Sequence, residues 1–213
     1  MDGRVRHAEE AAREAWAPAE RRLRFWLPGS VYRGDAVLRL EEGRLDLGGT
    51  TLRYPALCLG GTGRAALCGP NGAGKSSLVR RIVTSLTLPA GRVVYVPQEI
   101  PAGDSREISA GVRRLPEAEL GHLMTVVAGL GSDPRGLLAT ELPSPGETRK
   151  LLLALGVVRE PWLVVMDEPT NHLDLPSIEL LEHALADCPC ALLLVSHDER
   201  FLEGVGCERW RIR

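Results

Sequence analysis

Gly69-Pro70-Asn71-Gly72-Ala73-Gly74-Lys75-Ser76, followed by Ser77, satisfies the pattern G-x-x-x-x-G-K-[ST] at every fixed position. Several backbone N–H groups can converge on a phosphate only where no side chain blocks the approach, and glycine is the residue that allows this. Lys75 supplies a point charge to the β- and γ-phosphates, and Ser76 an oxygen ligand for Mg²⁺. The apolar run Arg64–Cys68 reads as a buried strand leading into the loop. Ser76–Leu86 has helical periodicity, and a helix starting there adds the positive end of its dipole. A strand, glycine loop and helix in this order commit the chain to an α/β sheet that binds phosphates at its carboxyl edge.

The remaining sequence is compatible with that sheet. Ala36–Glu41, Arg44–Leu47, Leu52–Tyr54 and Ala56–Leu59 are short alternating runs between glycine pairs and read as antiparallel strands. Val93–Val96, Trp162–Met166 and Ala191–Val195 read as strands of the core. Glu147–Val158 and Pro176–Ala186 read as helices, and this β-α alternation implies a parallel sheet. Ser105–Leu142 is mainly helical, with breaks at Pro116, Gly131 and Pro134.

A second chemical motif closes Leu163-Val164-Val165-Met166-Asp167-Glu168. A buried strand ending in two carboxylates puts them at the edge where the phosphates lie. Asp167 is suited to the Mg²⁺ shell, and Glu168 to orienting and deprotonating a water in line with the γ-phosphate.

Asp167-Glu168-Pro169-Thr170-Asn171-His172-Leu173-Asp174 and Ser196-His197-Asp198-Glu199-Arg200-Phe201-Leu202 resemble the catalytic segments of ABC ATPases, most of all those of the ABC-F branch. The likeness runs from about Ala36 to the C-terminus. It implies a P-loop NTPase with a RecA-like parallel-sheet core, an antiparallel β-subdomain and a small helical subdomain at about 104–146, the cassette occupying 36–213. By the same resemblance Gln98 contacts Mg²⁺ and the attacking water, and His197 hydrogen-bonds the γ-phosphate. Asp174 would cross the interface between two cassettes. Ser144-Pro145-Gly146-Glu147 stands where the family has its signature, whose serine, glycine and helix-start N–H groups meet the γ-phosphate of a facing cassette. Pro143 and Pro145 depart from that signature, and Pro145 removes one backbone donor. Asp46-Leu47-Gly48 occupies the region where the family often stacks an aromatic on adenine, and Tyr54 is too near the loop in sequence to replace it. An aliphatic contact and loose base selectivity follow.

The resemblance implies Mg-ATP hydrolysis completed by a second cassette, in the same polypeptide or in a homodimer. Asn171-His172 favours the ABC-F reading, with the ribosome and its RNA as partner, in translation control or antibiotic resistance. In that reading the chain is the C-terminal half of a longer protein. Two other readings stay open: the ATPase subunit of a membrane transporter, and a degenerate cassette that uses ATP as a switch.

Composition limits the alternatives. The 213 residues suit one α/β domain and are few for two, and a formal net charge of −2 gives no basic field for nucleic acid. The longest apolar stretch, Leu151–Val158, is far below a membrane span, and no apolar signal core opens the chain, so a cytoplasmic chain is expected, or one docked on a membrane through a partner. The five cysteines are read as reduced thiols, with Cys58 and Cys68 as small core residues. Cys188-Pro-Cys190 has no second ligand pair at zinc spacing. Residues 1–27 read as a charged helical lead, in which Glu20–Trp26 reads as a solvated helix face with a hydrophobic anchor, or as arginine and tryptophan that stack on RNA bases. Pro28-Gly29-Ser30 reads as a linker.

Overall fold

The computed structural model describes residues 27–49, 51–89 and 91–212. The charged lead assigned to 1–27 falls almost wholly outside them. Leu27 itself is fully buried in the core.

Five strands form one parallel sheet: β5 (Arg64–Cys68), β6 (Val93–Val96), β7 (Leu163–Asp167), β8 (Ala191–Val195) and β9 (Glu208–Arg211), in the order β6-β7-β8-β5-β9. β7 and β8 are buried at every position, which explains their unbroken apolar sequence. Side chains alternate across a strand, so each strand feeds two cores. Leu163, Val165, Leu193 and Val195 enter one. Val164, Met166, Leu192 and Leu194 enter the other.

The first core is closed by α1 (Lys75–Ser85), through Leu78, Val79 and Ile82, and by four short strands. β1 (Leu38–Leu40) pairs antiparallel with β4 (Leu57–Leu59), and β2 (Gly43–Asp46) with β3 (Thr51–Tyr54). These strands are antiparallel as expected, but nested: the outer two pair, and the inner two form a hairpin. The second core packs under α2 (Ala102–Arg113), α3 (Glu117–Gly129), α4 (Pro134–Ala139), α5 (Pro145–Val157), α6 (Leu175–Ala186) and α7 (Glu199–Val205). The breaks between α2, α3 and α4 fall at the residues that forbid helix. Pro116 caps α3, Gly131 adopts φ 81°, and Pro134 opens α4 behind the Asp133 cap. The layout is the ABC cassette form of the P-loop fold: a parallel core, an antiparallel subdomain and a helical subdomain.

Two local expectations are corrected, and the third, for Cys68, holds in part because it packs against the core. Pro28-Gly29-Ser30 is not a free linker: Ser30 N–H donates to Pro161 O at 2.9 Å, and a Cβ on Gly29 would lie 3.1 Å from Cys190 Cβ. Cys58 points outward from β4 and is exposed, because its neighbours Leu57 and Leu59 take the buried face. Cys68 is half-buried at the end of β5. The edge strand β9 and the short α7 were not expected. In β9 only Trp210 is buried among charged residues, too little alternation to read as a strand.

Candidate nucleotide site

The loop after β5 is shaped by its glycines. Gly72 and Gly74 take φ of 76° and 90°, and a Cβ on Gly74 would collide with Leu47. Ala73 N–H donates to Pro70 O at 3.2 Å, tightening the turn. α1 then starts at Lys75 with no side-chain cap on its first N–H groups, so these donors are left for an anion. Lys75 folds back over the loop and is 8% exposed. Its Nζ donates to Gly69 O at 2.9 Å and Pro70 O at 3.0 Å. The amine is therefore held at the loop's mouth by two weak acceptors that a phosphate can replace.

Above the loop lies a cleft of about 740 Å³, lined by Leu47, Asn71, Gly72, Gly74, Lys75, Ser76, Ser77, Gln98, Asp167, Glu168, Asn171, Val195 and His197. β6, β7 and β8 deliver Gln98, Asp167–Glu168 and His197 to one edge of the sheet, because parallel strands point their carboxyl ends the same way. Asp167 is 1% exposed, and its Oδ1 has no hydrogen-bond partner. A buried carboxylate oxygen without a partner is costly. Beside the Ser76 hydroxyl and the Gln98 amide it makes an all-oxygen donor set of the kind that Mg²⁺ takes. These residues fit the metal.

Glu168 is the first residue past β7 and adopts φ 50°, a left-handed conformation costing a non-glycine residue about 1–2 kcal/mol. Bonds on both sides of the peptide hold it there: Glu168 N–H donates to Val195 O at 2.7 Å, and its carbonyl accepts from Arg149 Nη2 at 2.8 Å. Its carboxylate lies 3.4 Å from His197 Nε2. Burial pushes the Glu168 pKa up, His197 opposes the rise and Asp167 adds to it. A carboxyl raised toward neutrality is suited to accepting a proton.

Ser144, Gly146, Glu147 and Asp174 do not line this cleft. Ser144 caps α5 in a capping box: Glu147 N–H donates to Ser144 Oγ at 3.3 Å, and Ser144 N–H to Glu147 Oε2 at 2.8 Å. Pro145 occupies the first helical position, where no N–H is missed by the helix itself. Gly146 packs on the segment after Glu168, where a Cβ would come within 2.6 Å of His172 O. Asp174 caps α6 through Ser177 N–H at 3.1 Å. Tyr54 is buried against Gly43, outside the cleft, and Leu47 stands in it instead. Arg149 was not singled out from the sequence. It sits in an Arg149-Lys150 pair that reads as helix surface, although both are buried. The sequence carries no signal for it, because the burial of residues on every side of α5, from Gly146 and Thr148 to Val157, is set by packing.

A glycine phosphate loop, an acidic strand end and a histidine just past the next strand, set in this sheet with an antiparallel and a helical subdomain, define an ATP-binding cassette of the ABC ATPase class. Residues 55–129 match the ABC transporter family. The ATP-binding protein Uup of Caulobacter vibrioides is 37% identical, over 67% of this chain and 24% of its own length. The ribosome protection protein VmlR of Bacillus subtilis is 34% identical, over 66% of this chain and 27% of its own length. The dimeric structure of a bacterial ABC transporter cassette has a TM-score of 0.60 at 16% identity, covering 82% of this chain and 94% of that one. This chain is thus an ABC cassette similar to those of Uup-type proteins. It spans between 24% and 57% of the length of the curated relatives it matches. No helix among the described residues is long and apolar enough to cross a membrane.

Proposed function

We propose that the chain binds and hydrolyses Mg-ATP, with the Glu168 carboxylate as the base. The observation that carries this reading is the meeting, in one cleft, of Glu168, the unpartnered Oδ1 of Asp167 and the loop Gly69–Ser77. The N–H groups of the loop and Lys75 bind the phosphates. Ser76, Asp167 and Gln98 would hold Mg²⁺, which neutralises phosphate charge when bound. Glu168 takes a proton from a water whose oxygen forms the bond to the γ-phosphorus as the bond to ADP breaks. His197, 3.4 Å from Glu168, bonds a γ-phosphate oxygen.

Ser144, Gly146, Glu147 and Asp174 serve a facing cassette. They lie off their own cleft, and two exposed leucines flank them: Leu142 at 50% and Leu175 at 62%. Apolar side chains at that edge favour a protein surface there. The larger process is action on the ribosome from the cytoplasm, in translation control or antibiotic resistance. Its support is the likeness to the ribosome protection protein VmlR. Coupling to a transporter's membrane subunit is the second reading, favoured by the match of residues 55–129 to the ABC transporter family.

Glu168→Gln, loaded with Mg-ATP, tests the choice. Pelleting with ribosomes in ATP but not in ADP is expected. ATP-dependent retention on membranes carrying a permease, with none on ribosomes, would overturn the ribosome reading.

A further inference from the structure

Arg149 lies in the second turn of α5, 4% exposed, and its guanidinium reaches across to the sheet. Nη1 donates to Gln98 O at 2.7 Å, and Nη2 donates to Asp167 O at 2.7 Å and Glu168 O at 2.8 Å. These carbonyls belong to the three residues that bring the metal set and the base into the cleft. Burying a guanidinium is unfavourable, and removal from water lowers its pKa against the pull of Asp167 and Glu168. Its Nε also stays buried without a partner. A side chain used only to fill the core would be apolar here. A planar fork of donors is the group that can hold several carbonyls from two strand ends at once, and a lysine ammonium cannot reproduce that spread.

The backbone at Glu168 supplies the reason. An L residue at φ 50° persists only where its surroundings over-determine it. Val195 O fixes the N–H side, and on the carbonyl side the shorter bond from Arg149 Nη2 at 2.8 Å joins the turn bond from Asn171 N–H at 3.2 Å. We infer that Arg149 is a positioning residue, which holds Glu168 in its left-handed conformation and makes the base's placement depend on the seat of α5. That helix begins at Pro145, behind the Ser144 cap, so five residues of helix and one guanidinium join the signature edge to the base of the same chain. The inference rests on Glu168 being the base.

The test is turnover by the whole chain at saturating Mg-ATP, with Arg149→Lys and Arg149→Gln made alone and together with Glu168→Gln. Each single variant is expected to lower kcat about tenfold or more while the Kd for ATP stays within about threefold. In the Glu168→Gln background the same changes should alter residual turnover less than about twofold, because the group being positioned is already gone. Unchanged kcat, or an equal fall in both backgrounds, would overturn the inference. If neither variant folds, Glu168→Gly decides, since glycine accepts this φ without a tether. A folded, ATP-binding Arg149→Lys in that background supports the role, and unfolding whatever stands at 168 makes Arg149 a core residue only. Near-normal turnover by Glu168→Gln alone would instead remove the base assignment itself, a distinct failure.

Discussion

Glu168 carries opposing demands. Burial raises its carboxyl pKa above the ordinary 4.5, and Asp167 adds to the rise while His197 and Lys75 oppose it. A folded-state pKa above the unfolded one means that the folded chain binds more protons in the window between them. The stability this contributes is complete below the unfolded value and is lost as pH rises through the folded value. At neutral pH the ionised Glu168 is therefore a net cost to the fold. Glu168→Gln should lower turnover by about 10²–10⁴-fold and raise the melting temperature of the nucleotide-free chain near pH 7.5. That gain should shrink toward pH 5, and a calorimetric series over pH checks it. His197→Ala removes the main group that opposes the rise, so the acid limb of the rate profile should move to higher pH. An unmoved limb would show that the 3.4 Å contact does not tune Glu168. Lys75→Ala separates binding from folding. Among the described residues its Nζ hydrogen-bonds only the carbonyls of its own loop, so ATP affinity should fall more than about 100-fold with the circular dichroism unchanged.

At the scale of elements, the β2–β3 hairpin and α5 make the two departures from the usual cassette pattern. Leu47, just past β2, presses on the phosphate loop at Gly74 and lines the cleft. A leucine offers no stacking face, so GTP should bind within about tenfold of ATP, about 1.4 kcal/mol. Leu47→Tyr should tighten ATP, and competition titrations with both nucleotides measure the two effects. In α5, Pro145 presets the first helical turn but withholds an N–H from a facing phosphate. Pro145→Gly should raise turnover several-fold and cost about 0.4–1 kcal/mol of stability, read by denaturant titration beside the rate. The same elements mark what the sequence could and could not disclose. The phosphate loop, Asp167 and Glu168 were legible because their chemistry requires those residue types in order along a few residues. β7 and β8 were legible because burial on both faces leaves continuous apolar runs. The nesting of β1–β4, the edge strand β9 and the carbonyl grip of Arg149 were not, since each is decided by pairing between distant segments. The outward turn of Cys58 was missed for a related reason. Composition suggested burial, and the register of β4 with β1 gave that face to Leu57 and Leu59.

On the proposed function, the whole chain presents half of two sites. Its cleft holds the loop, Asp167, Glu168 and His197. Ser144 caps α5 and Gly146 packs on the segment that follows Glu168, and neither lines the cleft of its own chain. A second cassette turned head to tail would bring its Ser144 and Gly146 to this cleft and receive this chain's in return. Two bound nucleotides would then add charge-assisted hydrogen bonds at both sites. Leu142 and Leu175 at the same edge would lose water contact, each contributing about 1–2 kcal/mol if fully covered. Against this stands the loss of translational and rotational freedom, about 4–15 kcal/mol. The two sums are close enough that nucleotide should decide the outcome. The chain without nucleotide should sediment as a monomer, and Glu168→Gln with Mg-ATP should shift toward a dimer. Wild-type turnover per chain should rise with protein concentration and level off once the dimer is populated. Replacing both Leu142 and Leu175 with Ser should move that rise to higher concentration while leaving ATP affinity unchanged, because neither side chain lines the cleft. Sedimentation velocity and turnover over a hundredfold range of concentration check this. Full turnover per chain at high dilution, with a monomer throughout, would mean that one cassette closes its own site.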